Sequence, residues 1–95
     1  MTPLPPGSRI GILGGGQLGR MLALSAAPLG FRCHIFGPEA HPPAAQVAEA
    51  VTIADYLDQA ALSAFAGSVD VVTLEFENVP ADCLEFLAKQ VPVRP

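Results

Sequence analysis

The stretch that decides the fold is RIGILGGGQLG, residues 9–19. Its first five residues form a short, mostly aliphatic run followed at once by three glycines, a pattern typical of a buried strand that ends in a tight turn. From Gln17 onward, apolar residues recur at steps of three and four positions, which predicts a helix with one apolar face. The stretch therefore predicts a strand, a glycine turn and a helix in immediate succession.

The glycine turn, Gly14 to Gly16, opens a G-x-G-x-x-G pattern that ends at Gly19, in the strand–turn–helix context that this motif requires. Glycine tolerates the unusual backbone angles of such a turn, and the N–H groups at a helix start attract an anion. We therefore expect a phosphate-bearing ligand. The alternative is that the glycines only allow the helix to pack against the strand.

Strands and helices alternate along the rest of the chain. Further strands are predicted at residues 31–36, 51–53, 70–77 and 91–93, and further helices at 44–48, from the N-cap Asp58 to Phe65, and from Pro80 to Lys89. Short loops between them imply right-handed crossovers and an α/β fold, a Rossmann-like doubly wound parallel sheet. Residues 1–8 are predicted to form a flexible N-terminal arm, and residues 9–95 the domain.

Composition excludes several classes of protein. The 95 residues are 51% hydrophobic and 15% charged, which suits one compact domain and argues against disorder. No apolar run reaches the length of a membrane span, and no signal peptide is recognisable. A net charge of -4 with scattered basic residues makes nucleic acid an unexpected partner. Two cysteines without metal-ligand spacing predict reduced thiols and a cytoplasmic protein.

Two glutamates lie where the strand predicted at residues 70–77 ends. Glu75 and Glu77 are two positions apart, so both point to one face of the sheet. A carboxylate about 8 Å from a phosphate, at an effective dielectric of about 20, is repelled by roughly 2 kcal/mol per charge pair. These residues therefore suit ribose hydroxyls or an amine. The alternatives are that one caps the following helix or is solvated, although Asn78 is the expected N-cap.

Arg20 lies in the first turn of the predicted helix, where a cation opposes the helix dipole unless an anion or a carboxylate is near. A ligand role and a carboxylate partner are equally open for this residue. His34 lies within a predicted strand and His41 within a proline-rich loop, and no nucleophile is recognisable beside either. Both histidines are expected to be structural or solvated.

A nicotinamide-binding Rossmann domain of an oxidoreductase is one alternative function. That class needs an acidic residue at the end of its second strand to bind the ribose. The corresponding place here is Phe36-Gly37-Pro38, with Glu39 two positions late, so this alternative is disfavoured. A stand-alone, non-catalytic ligand-binding module is the other alternative.

Taken together, residues 10–22, the helix end Pro28-Leu29-Gly30, residues 43–48 and the stretch Glu75-Phe-Glu-Asn-Val-Pro80 closely resemble the N5-carboxyaminoimidazole ribonucleotide synthase family. The resemblance covers nearly the whole chain. It implies a pre-ATP-grasp domain of an ATP-grasp ligase from purine biosynthesis. Such ligases carboxylate 5-aminoimidazole ribonucleotide, using ATP, bicarbonate and Mg2+, through carboxyphosphate, and are commonly homodimeric.

The resemblance also implies which residues meet the ribonucleotide. These are Gly15, Gly16, Gln17 and Leu18 of the motif together with Glu75, while Arg20 and Glu77 are secondary candidates. No catalytic or metal-binding residue is expected. Two positions depart from the family pattern: Gly37 stands where an Asp is usual, and Leu74 where an aromatic residue is common.

Length is the largest departure, because family members continue into an ATP-grasp fold and a C-terminal domain. The resemblance therefore implies that ATP and Mg2+ bind outside this chain. We expect the 95 residues alone to be inactive.

Overall fold

The computed structural model describes residues 4–74 and 79–94. The strands are β1 (Arg9–Leu13), β2 (Arg32–Gly37), β3 (Ala50–Ile53) and β4 (Val71–Leu74). The α-helices are α1 (Gln17–Ala26), α2 (Gln59–Ser68) and α3 (Ala81–Ala88), with 3-10 turns at Ala27–Leu29 and Pro43–Gln46.

All four strands are parallel, in the order β3-β2-β1-β4. Leu13 pairs with Phe36 on one side and with Leu74 on the other, so β1, β2 and β4 reach the same edge of the sheet. From β1 the chain winds outward through β2 and β3, and then returns to place β4 on the opposite side of β1. The predicted doubly wound α/β fold is confirmed, and its switch point lies between β1 and β4.

Side chains alternate between two faces of the sheet and build two cores. The face covered by α2 and α3 buries a large cluster: Leu13, Phe36, Leu62, Phe65, Ala66, Val69, Val72, Cys83, Leu87 and Val91. The face covered by α1 buries a smaller one: Ile12, Ala23, Ala26, Cys33, Ile35 and Ala44. Both faces are thus covered by helices, as a parallel sheet requires.

The ends of the first two helices follow the rules of helix capping. Asp58 caps α2 by accepting a hydrogen bond from the Ala61 N–H at 3.0 Å, as predicted. Gly30 stops the turn after α1 in the left-handed conformation at φ 84°, also as predicted. Pro28, expected in the last turn of α1, lies in the 3-10 turn beyond it.

Other boundaries differ from the prediction. The segment predicted as a helix at residues 44–48 is a 3-10 turn, and α3 begins at Ala81 with Pro80 as its N-cap. The predicted cap Asn78 lies outside the described residues.

The fifth predicted strand, residues 91–93, is reduced to a single parallel bridge between Val72 and Val93. Val72 donates to the Pro92 carbonyl at 2.9 Å and accepts from the Arg94 N–H at 2.7 Å. Pro92 has no N–H to extend this ladder, which explains why the pairing stops at one residue.

The end of the predicted arm contacts the domain. Gly7 donates to the Gly30 carbonyl at 2.8 Å, and the Ser8 carbonyl accepts from the Arg32 N–H at 3.0 Å. These bonds hold the chain before β1 against the start of β2. No helix in the described part of the chain is both long and apolar enough to span a membrane.

Candidate functional site

The glycine turn leaves β1 at the centre of the sheet's carboxyl edge. Gly14 has φ 106°, a backbone conformation that strongly favours glycine, and its N–H donates to the Phe36 carbonyl at 2.8 Å. The chain therefore turns sharply just past the last β1–β2 pair. Glycine at position 14 has a backbone explanation that requires no ligand.

Gly15 has a packing explanation. A Cβ built on Gly15 would lie 2.4 Å from Cβ and 3.0 Å from Cγ of Pro42, and 3.3 Å from Cγ2 of Ile35. The Gly15 carbonyl accepts a hydrogen bond from the Ala44 N–H at 2.9 Å. The loop after β2 thus folds back onto the turn, a long-range contact that sequence reasoning missed because no local pattern links residues 15 and 42.

The start of α1 faces the same edge. Gly16 is the N-cap, and Gln17, the first helical residue, is exposed to solvent. The first turn of α1 contains no acidic residue, so its positive dipole end has no carboxylate from its own helix. Leu18 is the second residue of α1, and its side chain lies outside the described residues. This helix start can accommodate an anion.

Arg20 is half-buried, and its N–H donates to the Gly16 carbonyl at 3.0 Å. In the described ranges, the ion pairs join Arg9 and Arg32 to Glu49, and Arg20 has no carboxylate partner there. Its charge therefore remains opposed to the helix dipole within this part of the chain. A bound anion would relieve that repulsion.

The end of β4 lies directly beside the turn, because Leu74 pairs with Leu13, the residue before Gly14. Glu75, Glu77 and the predicted cap Asn78 lie outside the described residues, so their side chains remain at the level of prediction. The described backbone thus brings the end of β4, at Leu74, next to the glycine turn.

Gly37 ends β2 on the other side of the turn and is buried. A Cβ built there would lie 3.4 Å from the Tyr56 hydroxyl and 3.9 Å from Cα of Gly14. Tyr56 is half-buried against Phe36, with ring centroids 6.1 Å apart. Like Pro42, it lies at this edge of the sheet without having been indicated by the sequence. Gly37 supplies no carboxylate here, and Glu39 is exposed in the loop beyond Pro38.

His34 is structural, as predicted. Its Nδ1 lies 2.9 Å from Oγ of Ser68, which itself donates to the Phe65 carbonyl, so Ser68 accepts from Nδ1–H. Nε2 lies 2.7 Å from Oγ1 of Thr52, and the ring packs edge-on against Phe65. Burial, and secondarily the Arg9 charge, lower the pKa of His34 below its ordinary value, while Glu49 acts in the opposite direction.

Among the residues that the structure describes, the cysteines and the carboxylates form no recognisable reactive or metal-binding cluster. Cys33 and Cys83 are free and buried, and burial raises the pKa of both thiols, that of Cys83 to about 11. Such thiols are poor nucleophiles. Within residues 4–74 and 79–94, no group of three or more His, Cys, Asp or Glu side chains could hold a metal ion.

Comparison with known proteins identifies the family. Residues 8–95 match the ribonucleotide synthetase preATP-grasp domain. The chain belongs to this family. Over 94 residues the chain is 52% identical to the N5-carboxyaminoimidazole ribonucleotide synthase of Brucella melitensis. Those residues are 99% of this chain and 26% of that protein.

Solved structures agree with the pre-ATP-grasp assignment. The Staphylococcus aureus N5-carboxyaminoimidazole synthetase complexed with ADP superposes with a TM-score of 0.88 at 39% identity, over 95% of this chain and 25% of that one. The Aspergillus clavatus N5-carboxyaminoimidazole synthase in complex with ADP and 5-aminoimidazole ribonucleotide gives a TM-score of 0.79 at 34% identity, over 94% and 24%. This pre-ATP-grasp chain thus spans about a quarter of the relatives' length. The family and the fold predicted from the sequence are both confirmed.

Proposed function

We propose that this chain is the N-terminal, ribonucleotide-binding domain of a ligase that carboxylates 5-aminoimidazole ribonucleotide. The overall reaction would convert that ribonucleotide, ATP and bicarbonate to N5-carboxyaminoimidazole ribonucleotide, ADP and phosphate. Support comes from family membership and from a relative solved with ADP and 5-aminoimidazole ribonucleotide.

The observation that carries the proposal is the pairing of Leu13 with Leu74. It sets the glycine turn beside the end of β4, the strand that immediately precedes Glu75 in the sequence, at the switch point of the sheet. Ligands of doubly wound folds bind at this position, outside the carboxyl ends of the strands. A nicotinamide cofactor is a poorer fit, because β2 ends in Gly37 without an acidic residue.

In this proposal the ligand's groups divide between the two segments by charge. The anionic part of the ribonucleotide binds at the start of α1, facing Gly15, Gly16, Gln17 and Leu18. Arg20 adds a nearby positive charge. Glu75, with Glu77 in a secondary role, accepts hydrogen bonds from ribose hydroxyls or from the amine that is carboxylated. A carboxylate suits those donors because it would repel the phosphate.

The remaining chemistry lies outside this chain in the proposal. ATP and Mg2+ bind an ATP-grasp portion, where bicarbonate is activated as carboxyphosphate before it reacts with the amine. The 95 residues alone are therefore inactive, and the full-length enzyme is a cytoplasmic homodimer. The role of the described residues is to hold and orient the ribonucleotide.

The test is Glu75→Gln in the full-length enzyme. A hydrogen bond to a charged group contributes about 1.5–3 kcal/mol, so the KM for 5-aminoimidazole ribonucleotide should rise about 10-fold or more. The KM for ATP should stay near its original value. Glu85→Gln, which removes an exposed carboxylate from α3, is the matched control. Equal changes in both KM values, or no change, would contradict the proposed substrate site.

A further inference from the structure

The loop between β2 and β3 contacts the glycine turn through two residues. Pro42 is buried against Gly15, so closely that a Cβ on Gly15 would overlap the proline ring at 2.4 Å. The Ala44 N–H, two residues later, donates to the Gly15 carbonyl at 2.9 Å. One contact fixes the position of the turn, and the other fixes the direction of one of its carbonyls.

These two residues are themselves firmly held. Ala44 has no exposed surface and belongs to the core on the α1 face, where it lies in the 3-10 turn Pro43–Gln46. Just before Pro42, His41 adopts φ 54°, a left-handed conformation unusual for a residue other than glycine. Surrounding structure must hold a residue in such a conformation, which indicates that the return of the loop onto the turn is well determined.

The hydrogen bond to Ala44 also orients the next peptide group. In a trans peptide the C=O and the N–H point in opposite directions. Because the Gly15 carbonyl points at Ala44, the N–H of Gly16 points away from the loop. The hydrogen bond from Ala44 thus sets the orientation of the Gly15–Gly16 peptide, which leads into the N-cap of α1.

We propose that Pro42 and Ala44 are positioning residues for the ribonucleotide site. They act through Gly15, holding the glycine turn in the geometry in which it receives the ligand. This inference rests on the proposed function of the turn and adds two residues of the loop after β2, Pro42 and Ala44, to those that act on binding. It also explains why position 15 is glycine. A side chain there would overlap Pro42, whether or not Gly15 also contacts the ligand.

The test replaces Pro42 with Gly in the full-length enzyme, with the milder Pro42→Ala as a second variant. Misplacement of a binding group by a fraction of an ångström weakens binding considerably, so the KM for 5-aminoimidazole ribonucleotide should rise about 10-fold in Pro42→Gly and less in Pro42→Ala. The KM for ATP should not change. Hydrogen exchange of the Ala44 amide should become faster, because its acceptor is no longer held in place.

Pro38→Gly is the matched control. Pro38 is an exposed proline of the same loop, so this variant makes the same change to the unfolded chain without touching Gly15. It should leave both KM values unchanged. An equal rise in Pro38→Gly would show that general loop flexibility, rather than the contact with Gly15, controls binding, and would overturn the inference.

The inference and the proposed function fail in different ways. If Glu75→Gln raises the KM for the ribonucleotide but neither Pro42 variant does, the site stands and the positioning role is overturned. If Glu75→Gln has no selective effect, the proposed function fails and the positioning role fails with it. A selective rise in both sets of variants supports both.

Discussion

The two faces of the sheet are built from side chains of very different size. The face under α2 and α3 buries the largest residues of the described core, among them Phe36 and Phe65. The face under α1 is packed with small residues such as Ala23, Ala26 and Ala44. Both faces carry buried side chains, and the second also brings the loop after β2 into backbone contact with the glycine turn.

The difference separates stability from positioning. Large apolar side chains bury more surface and contribute more to the free energy of unfolding. Small residues contribute less, but they let the 3-10 turn and its loop approach Gly15 closely enough for Ala44 to bond its carbonyl. We therefore expect substitutions on the first face to act mainly on stability, and substitutions beside the turn to act also on ligand binding.

The largest expected effect is that of Phe65→Ala on the α2 face. Phe65 is fully buried and contacts both His34 and Phe36. Its truncation should lower the free energy of unfolding by about 3–5 kcal/mol, measured as a lower denaturant midpoint with an unchanged slope. Leu57→Ala, at a residue that is 60% exposed, should change it by less than about 0.5 kcal/mol. Similar losses in the two variants would show that the burial of Phe65 does not stabilise this face.

A smaller effect is expected from Gly15→Ala, compared directly with Gly11→Ala on the opposite face. The new Cβ would meet Cβ of Pro42 at 2.4 Å in the first case and Cζ of Phe65 at 2.5 Å in the second. A proline Cβ is fixed to its ring and backbone, whereas Cζ is the far end of the Phe65 side chain, which can shift at some cost to its packing against His34 and Phe36. Gly15→Ala should therefore lower the free energy of unfolding by about 1–3 kcal/mol. Gly11→Ala should lower it by less in the same measurement.

Pro42→Gly supplies the check on that comparison. Combined with Gly15→Ala, it removes the overlapping atoms, so the loss caused by Gly15→Ala should shrink in the double variant. The loss caused by Gly11→Ala should be the same with and without Pro42→Gly. Additive losses for residues 15 and 42 would show that the close contact does not limit position 15.

The smallest expected effect is the pH dependence of stability that arises from His34, the polar residue on the α2 face. Burial lowers the pKa of folded His34 below its ordinary value of 6.5, so the unfolded chain takes up a proton first as the pH falls. The contribution of His34 to stability is therefore present above about pH 6.5 and is lost as the pH falls from there towards the folded pKa. Thermal unfolding midpoints at neutral and mildly acidic pH measure this loss.

Two variants assign the effect. His34→Gln removes the titrating ring but keeps groups able to bond Ser68 and Thr52, so its stability should vary less with pH. His41→Asn tolerates the left-handed backbone of position 41 and should vary with pH as the wild type does. The reverse pattern would place the titrating group in the loop instead of the sheet.

The sequence predicts the parts of this molecule that depend on neighbouring residues. The glycine turn, the cap Asp58 and the stop at Gly30 each follow from the conformational preferences of a few adjacent residues. The switch point is also predictable, because alternating strands and helices allow few topologies. For this reason the end of β4 could be placed beside the glycine turn, while the roles of the candidate ligand residues remain predictions.

Contacts between distant segments were not predictable. Pro42 reads as a loop residue in sequence, and only the folded chain shows that it packs on Gly15 and that Tyr56 lies near Gly37. The fifth strand was overpredicted for a related reason. Apolar residues at 91 and 93 suit a strand, but the proline between them limits pairing to the single bridge at Val93.

That bridge has a consequence for aggregation. Unpaired strand edges are where separate chains add to one another. Residues 92–94 pair with the outer edge of β4 at Val72, while in the described chain the outer edge of β3, four residues long, is paired with no other strand. A chain cut before Pro92 would leave a second strand edge unpaired. Shortened versions of the protein should therefore retain these residues to avoid aggregation.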